Sequence, residues 1–302
     1  MLTKTTNMKI FDKLSLVLLL ISIFTSANAQ IKRESTFETP YGNNDAVGKY
    51  ATVNGVKMYF EEYGSGEPLL LIHGNSGEIK NMDHQIDHFK NKYRVIVADS
   101  RGHGKSGVET DSLTYTQMTK DWEGLVQHLK LDSIHILGVS DGGIIALKLG
   151  ISGKTKIKKI VAMGANLRPD ETAVNTWAIN EAKGALEFVS FKAAQKDTSK
   201  NWPLGKQVLG LLVYQPNIPK ENLSKITAKV LIIAGDKDVI KNQHTVEIFE
   251  NIPNAHLCIM PGQTHFAPAE NATYFNGIVD TFLSQPFSRP DSDWTKKNRT
   301  GE

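Results

Sequence analysis

Ile134-His135-Ile136-Leu137-Gly138-Val139-Ser140-Asp141-Gly142-Gly143 passes from an apolar strand through a sharp turn into a helix. The run before Ser140 is β-branched and aliphatic with little polar alternation, as expected of a strand buried on both faces. Gly138-Val139-Ser140-Asp141-Gly142 fits G-x-S-x-G, in which a serine is held on a strand-to-helix turn too tight for ordinary backbone angles. Glycine is needed at 138 and 142 because a Cβ there would meet the neighbouring strand or helix. Taken alone, the pattern also fits an ordinary glycine-containing βα turn. Its surroundings decide between the two.

On either side of this stretch, short apolar runs alternate with helix-length segments. The runs lie at 68–72, 93–98, 157–163, 229–234 and 256–260, and the helical segments at 114–129, 141–149, 242–251 and 270–283. Such alternation predicts a mostly parallel sheet with helices on both faces. Upstream, 49–53 and 57–63 flank Asn54-Gly55, a hairpin turn whose two residues both accept positive φ. With the hairpin the sheet has eight strands. The rhythm breaks between Met163 and Lys229, where about sixty-five residues carry helical stretches at 171–183, 186–196 and 207–214 but no strand. This insertion reads as a helical cap. The expected organisation is a core at 49–166 and 227–284, a cap at 167–226, a loose polar arm at 30–48 and a disordered tail at 285–302.

A serine hydroxyl needs a base, and the base needs a group to orient it. The run 229–234 leads into Gly235-Asp236-Lys237-Asp238, and 256–260 into Pro261-Gly262-Gln263-Thr264-His265. Ser140, Asp238 and His265 thus follow one another at strand ends in nucleophile, acid, base order. Asp238 is preferred to Asp236 because it clears the strand end, whereas Asp236 is placed to bond its own turn. The run 68–72 ends in His73-Gly74-Asn75, which predicts that the Asn75 and Asp141 backbone N–H groups form an oxyanion hole. His73 reads as loop support. The Asp141 side chain could instead face the acyl pocket and pair with a substrate ammonium, or simply favour the helix dipole.

Together His73-Gly74, residues 99–106, Gly138 to Gly143, Gly235 to Asp238 and His265 resemble the α/β-hydrolase fold superfamily across nearly all of 49–284. The resemblance implies a Ser-His-Asp hydrolase with its pocket between sheet and cap, no metal or organic cofactor, and a supporting part for the Arg101 loop. Ser140-Asp141-Gly142-Gly143, Gly164-Ala165-Asn166 and the short cap are similar to the biphenyl-hydrolase-like (valacyclovir hydrolase) branch.

Composition narrows the function classes. At 302 residues, 40% hydrophobic and 22% charged, the chain is an ordinary globular one, and its net charge is +3. Residues 1–29 hold Lys4, Lys9, Lys13 and Asp12, so only one net positive charge falls on the rest. Nothing there attracts nucleic acid or an acidic membrane. One cysteine, Cys258, excludes an intrachain disulfide and a cysteine-ligated zinc site. His84 and His88 are four apart on a helix but have no visible third ligand, so no metal is expected. No phosphate-binding glycine loop follows a strand.

Residues 1–29 read as a secretory signal. A lysine-bearing segment precedes the apolar run 14–24, and Ala27-Asn28-Ala29 supplies the small residues of a cleavage site before Gln30. An uncleaved anchor is the alternative, though an eleven-residue helix covers only about 16 Å of a ~30 Å hydrocarbon core. The mature chain is expected in an exported compartment, not in a membrane. Sequons at Asn222, Asn271 and Asn298 matter only in a eukaryotic source. Trp177 and Trp202 are candidate lining residues of the pocket, with packing of the cap as their other reading. The expected activity is cleavage of a small carboxylic ester through an acyl-enzyme, with an α-amino-acid ester as one candidate. Lactone, C–C and peptide hydrolysis on the same residues stay open, as does a ligand-binding protein without turnover.

Overall fold

The computed structural model describes residues 37–290, 292 and 293. The expected signal segment lies outside them, and 37–40 carry no regular element. From Tyr41 onward the chain builds one eight-stranded sheet in the order β1-β2-β4-β3-β5-β6-β7-β8. The strands are β1 Lys49–Val53, β2 Val56–Tyr63, β3 Pro68–Ile72, β4 Arg94–Ala98, β5 Ile134–Val139, β6 Ile157–Met163, β7 Lys229–Lys237 and β8 Ala255–Thr264. Only β2 runs against the others. Asn54 and Gly55, at φ 46° and 77°, close the β1–β2 hairpin.

Leu69 to Ile72 and Ile134, Ile136 and Leu137 are fully buried, which is why these strands read as unbroken apolar runs. Helices α1 Asp83–Phe89, α2 Tyr115–His128, α3 Asp141–Ser152, α6 Asn242–Glu250 and α8 Ala272–Ser284 belong to the sheet domain, with the one-turn α7 at Ala267–Glu270. The insertion between β6 and β7 carries α4 Thr176–Ala194 and α5 Trp202–Tyr214, packed on each other. Its entrance is pinned to the sheet domain where the Leu167 N–H donates to His244 Nε2 at 2.9 Å. Among the described residues no helix is long and apolar enough to cross a membrane.

Several boundaries differ from expectation. The stretches 171–183 and 186–196 are not two helices. One helix, α4, covers 176–194 and runs through Gly184, whose interior helical position costs only about 1 kcal/mol against alanine. Helix α5 starts at Trp202 rather than 207, because Asn201 Oδ1 caps the Leu204 N–H at 3.1 Å and Pro203 fits the first turn. β7 and β8 stay paired beyond their apolar runs, out to Lys237 opposite Thr264, past an irregularity at Gly235. The two backbones are so close there that a Cβ on Gly235 would lie 2.2 Å from the Gln263 carbonyl.

The arm and tail are also tied down where they are described. The carboxylate of Glu61, fully buried, accepts from the Gly42 and Asn44 N–H groups and from the Tyr59 and Tyr63 hydroxyls. Past α8, Phe287 stacks on His256 with centroids 4.4 Å apart, and His256 Nε2 donates to the Ser288 carbonyl at 2.7 Å.

Candidate active site

Ser140 sits between β5 and α3 at φ 56°, ψ −118°, a conformation an L-residue holds only under constraint. The constraint comes from packing. The Ser140 N–H donates to the Met163 carbonyl at 2.7 Å, which ties the turn to β6. A Cβ at Gly138 would lie 2.1 Å from the Gly142 carbonyl oxygen, and one at Gly142 would lie 2.0 Å from that of Ile72. Both glycines are therefore required by close backbone approach, and the hydroxyl is carried at the carboxyl end of the sheet.

Across the sheet, the β8 end presents His265 to this hydroxyl. Ser140 Oγ lies 2.9 Å from His265 Nε2, and Asp238 Oδ1 lies 2.6 Å from Nδ1. The carboxylate accepts Nδ1–H, so Nε2 faces serine as a bare acceptor. Asp238 is itself oriented by the Ile240 N–H on Oδ1 at 3.0 Å and the Gly235 N–H on Oδ2 at 3.4 Å. Asp236 does not reach the imidazole, and its Oδ1 is buried without a hydrogen-bond partner among the described residues, so the expected bond to its own turn is not seen. Burial opposes ionisation of Asp238, yet the facing imidazole and the backbone donors hold its carboxyl below the usual range. For His265, burial disfavours the charged ring, but the Asp238 carboxylate outweighs it and lifts the imidazole above its ordinary value.

Gly164, at φ +59°, makes room for the ring, since a Cβ there would lie 2.6 Å from His265 Cε1. The sequence marked Gly164 only as part of the cap entrance. Its positive φ carried no local signal, because the need arises from a residue a hundred positions away.

The loop after β3 supplies the opposite wall. Gly74 backs onto Ser140, its added Cβ falling 3.0 Å from Ser140 Cβ. His73 Nδ1–H donates to the Gly74 carbonyl at 2.8 Å, and Nε2 accepts the Ser100 N–H at 3.0 Å. The Gly77 N–H donates to the same carbonyl at 3.2 Å. Two donors on one carbonyl fix the Gly74–Asn75 peptide plane, and so aim the Asn75 N–H the other way. Neither that N–H nor the Asp141 N–H donates to a protein acceptor among the described residues. Burial lowers the His73 pKa to about 4, so this ring is neutral where most proteins work.

Asp141 is 2% exposed. Burial pushes its carboxyl up, and the Asn75 amide, donating to Oδ2 at 2.9 Å, opposes that rise. The same amide donates to the Val208 carbonyl of α5 at 3.0 Å, which sets the cap over the loop. Arg101 supports from below, its guanidinium gripping both oxygens of buried Asp121 at 2.6 and 2.8 Å. Of the two aromatic candidates, Trp202 packs edge-on to Phe188 within the cap's own cluster, while Trp177 is 60% exposed. A cavity of about 620 Å³ is lined by residues of α4, α5 and the 111–113 loop, and none of Ser140, Asp238 and His265 lines it.

Comparison with known proteins agrees with this construction. The alpha/beta hydrolase fold family matches residues 67–200. The chain is 28% identical over 247 residues to a mouse protein named serine hydrolase BPHL, covering 76% of this chain and 84% of that one. It is 24% identical over 283 residues to the 2-hydroxy-6-oxononadienedioate/2-hydroxy-6-oxononatrienedioate hydrolase of Comamonas testosteroni, covering 80% and 98%. Among solved structures, an esterase from Exiguobacterium antarcticum superposes with a TM-score of 0.69 at 23% identity, covering 79% of this chain and all of that one. An enol-lactonase from Burkholderia xenovorans LB400 gives 0.65 at 19%, covering 78% and 100%, a likeness of fold. The chain has the α/β-hydrolase fold and is a hydrolase of that fold.

Proposed function

We propose that the chain is an exported serine hydrolase that cleaves a small carboxylic ester through an acyl-enzyme. The observation that carries this reading is the continuous hydrogen-bonded path from Ser140 through His265 to Asp238. In the first half-reaction His265 Nε2 takes the serine proton as Oγ attacks the carbonyl carbon, and the oxygen gains negative charge facing the Asn75 and Asp141 N–H groups. Collapse expels the alcohol, which leaves with the proton from His265. Water then repeats the sequence on the acyl-enzyme, and the acid departs as Ser140 regains its proton. Asp238 holds the productive tautomer and offsets the imidazolium charge.

An ester is the substrate class favoured here because the path needs only a carbonyl and a leaving alkoxide. α-Amino-acid esters, anticipated through Asp141, have less support, since that carboxylate is buried and already bonded to Asn75. Comparing an aminoacyl ester with its des-amino analogue in Asp141→Ala tests this directly. Equal losses on the two substrates fit the buried geometry, and a loss confined to the amino ester restores the ammonium pair.

The whole reading is tested with a fluorophosphonate, which should label the native protein and not Ser140→Ala, followed by a panel of esters of varied acyl size. Labelling that survives the substitution removes Ser140 as nucleophile. Export is tested by N-terminal sequencing of the protein recovered outside the producing cell's cytoplasm, with Gln30 as the expected first residue.

A further inference from the structure

Asn75 carries more hydrogen bonds than a backbone oxyanion donor requires. Its side-chain amide has two N–H bonds, and they go to different parts of the molecule. One reaches Asp141 Oδ2 at 2.9 Å, on the first residue of α3 beside Ser140. The other reaches the Val208 carbonyl at 3.0 Å, in the middle of α5. Its Oδ1 accepts from the Ser76 hydroxyl at 3.0 Å, which leaves the amide with a fixed orientation. Ser76 in turn holds φ +55° within the 74–77 turn, so the loop cannot relax around a displaced Asn75 without losing that turn.

From this we infer that the Asn75 side chain is a positioning residue that couples the seating of cap helix α5 to the alignment of the two oxyanion donors. The inference rests on the serine-hydrolase reading above. The two donor N–H groups belong to Asn75 and Asp141, and the side chains of these same two residues are bonded to each other. The remaining amide hydrogen is bonded to the cap. A shift of α5 therefore reaches the oxyanion donors through one side chain. A mid-helix carbonyl already serves the helix with one lone pair, so the second is free to accept Asn75 without breaking α5. Seated, the cap holds the donors in place. Unseated, it leaves one Asn75 amide hydrogen without its acceptor, and the amide, with the Asp141 carboxylate bonded to it, has reason to move.

The test uses the full chain and two variants, Asn75→Ala and Asn75→Ser. Both keep the backbone N–H, and serine retains one shorter donor in case alanine does not fold. The first readout is amide hydrogen exchange, which needs no substrate. Residues 202–214 should exchange about tenfold faster in Asn75→Ala, with 83–89 unchanged. The second is the rate of fluorophosphonate labelling of Ser140, expected to fall about tenfold, with kcat on an ester falling likewise and KM moving less. Asn75→Ser should lie between native and alanine on both. The third is a cycle with Leu211→Ala, which loosens α5 at a fully buried contact. If Asn75 transmits cap seating, the double variant labels no more slowly than Asn75→Ala alone.

Unchanged exchange over 202–214, an unchanged labelling rate, or losses that multiply in the double variant would each overturn the coupling. Native protein that takes up no label instead defeats the hydrolase reading, and with it the oxyanion half of the inference. The exchange result would then stand as a cap contact alone.

Discussion

Two histidines flank Ser140, on the loops after β3 and β8, and they are built from the same parts to opposite ends. Each uses Nδ1–H as donor and leaves Nε2 as acceptor. For His265 the Nδ1 partner is a carboxylate, Asp238, and the ring's proton affinity rises. For His73 the partner is the neutral Gly74 carbonyl, and burial acts with no charge to offset it, down to about 4. The bare Nε2 of His265 meets a hydroxyl, whereas that of His73 is occupied by the Ser100 N–H. One ring is thus equipped to move a proton and the other to hold a peptide plane. The charge of the atom behind the ring makes the difference, since desolvation disfavours the charged form of both rings.

This contrast is easiest to break at the proton-moving side. Ser140→Ala and His265→Ala should each lower kcat by about 10⁶-fold, measured on whichever ester of the panel turns over fastest. Asp238→Asn should cost about 10⁴-fold and, more tellingly, make His265 resemble His73. In the native protein activity requires a neutral His265, so kcat/KM should rise with pH through a value above the usual 6.5. With the Asp238 charge removed, burial is opposed only by the Asp141 carboxylate, and the residual activity should rise through a lower pH than in the native protein. An acid limb that does not move down in Asp238→Asn would contradict the account of both rings.

Smaller effects sharpen the comparison. Gly164→Ala puts a Cβ 2.6 Å from His265 Cε1 at a positive φ, and should reduce kcat by about 10²-fold through displacement of the ring. His73→Ala removes one hydrogen bond from the Gly74 carbonyl and should reduce kcat only about tenfold, leaving the position of the acid limb unchanged. Kinetics of the two variants across pH separate a group that titrates in turnover from one that does not. Linkage predicts a stability effect of the same sign. Because the His265 pKa is raised on folding, its interaction with Asp238 stabilises the fold below the unfolded value of about 6.5, and that contribution is lost as pH climbs through the folded value. Thermal melts of native protein and His265→Gln across that range should converge on the alkaline side.

Ser140, Asp238 and His265 were legible in the sequence because each stands where an apolar run gives way to a turn, a transition that neighbouring residues spell out. The doubled backbone demand at Gly138 and Gly142 was legible for the same reason. Contacts made across the sheet were not. Gly164 is shaped by His265, and the Asn75 amide by Val208, and no local pattern encodes either pairing. The continued pairing of β7 and β8 was hidden because Gly-Asp-Lys and Pro-Gly-Gln-Thr have turn composition, while the structure uses them as polar strand ends. In the cap, the sequence separates 171–183 from 186–196, but one helix packed on α5 runs through Gly184. Trp202 shows the limit of reading aromatics by type alone, since its residue class fits a pocket wall and its position fits the cap's interior.

The segment after α8 has a consequence for handling the protein. β8 is an edge strand of the sheet, and Phe287 and Ser288 contact its His256 near the strand's start, with the Arg289 guanidinium bonded to the Pro253 carbonyl just before it at 2.9 Å. Sheet margins that lack such a cover recruit other chains and precipitate. A recombinant version trimmed at Ser284 to discard a polar, proline-bearing end would therefore lose colloidal stability while keeping every group needed for turnover.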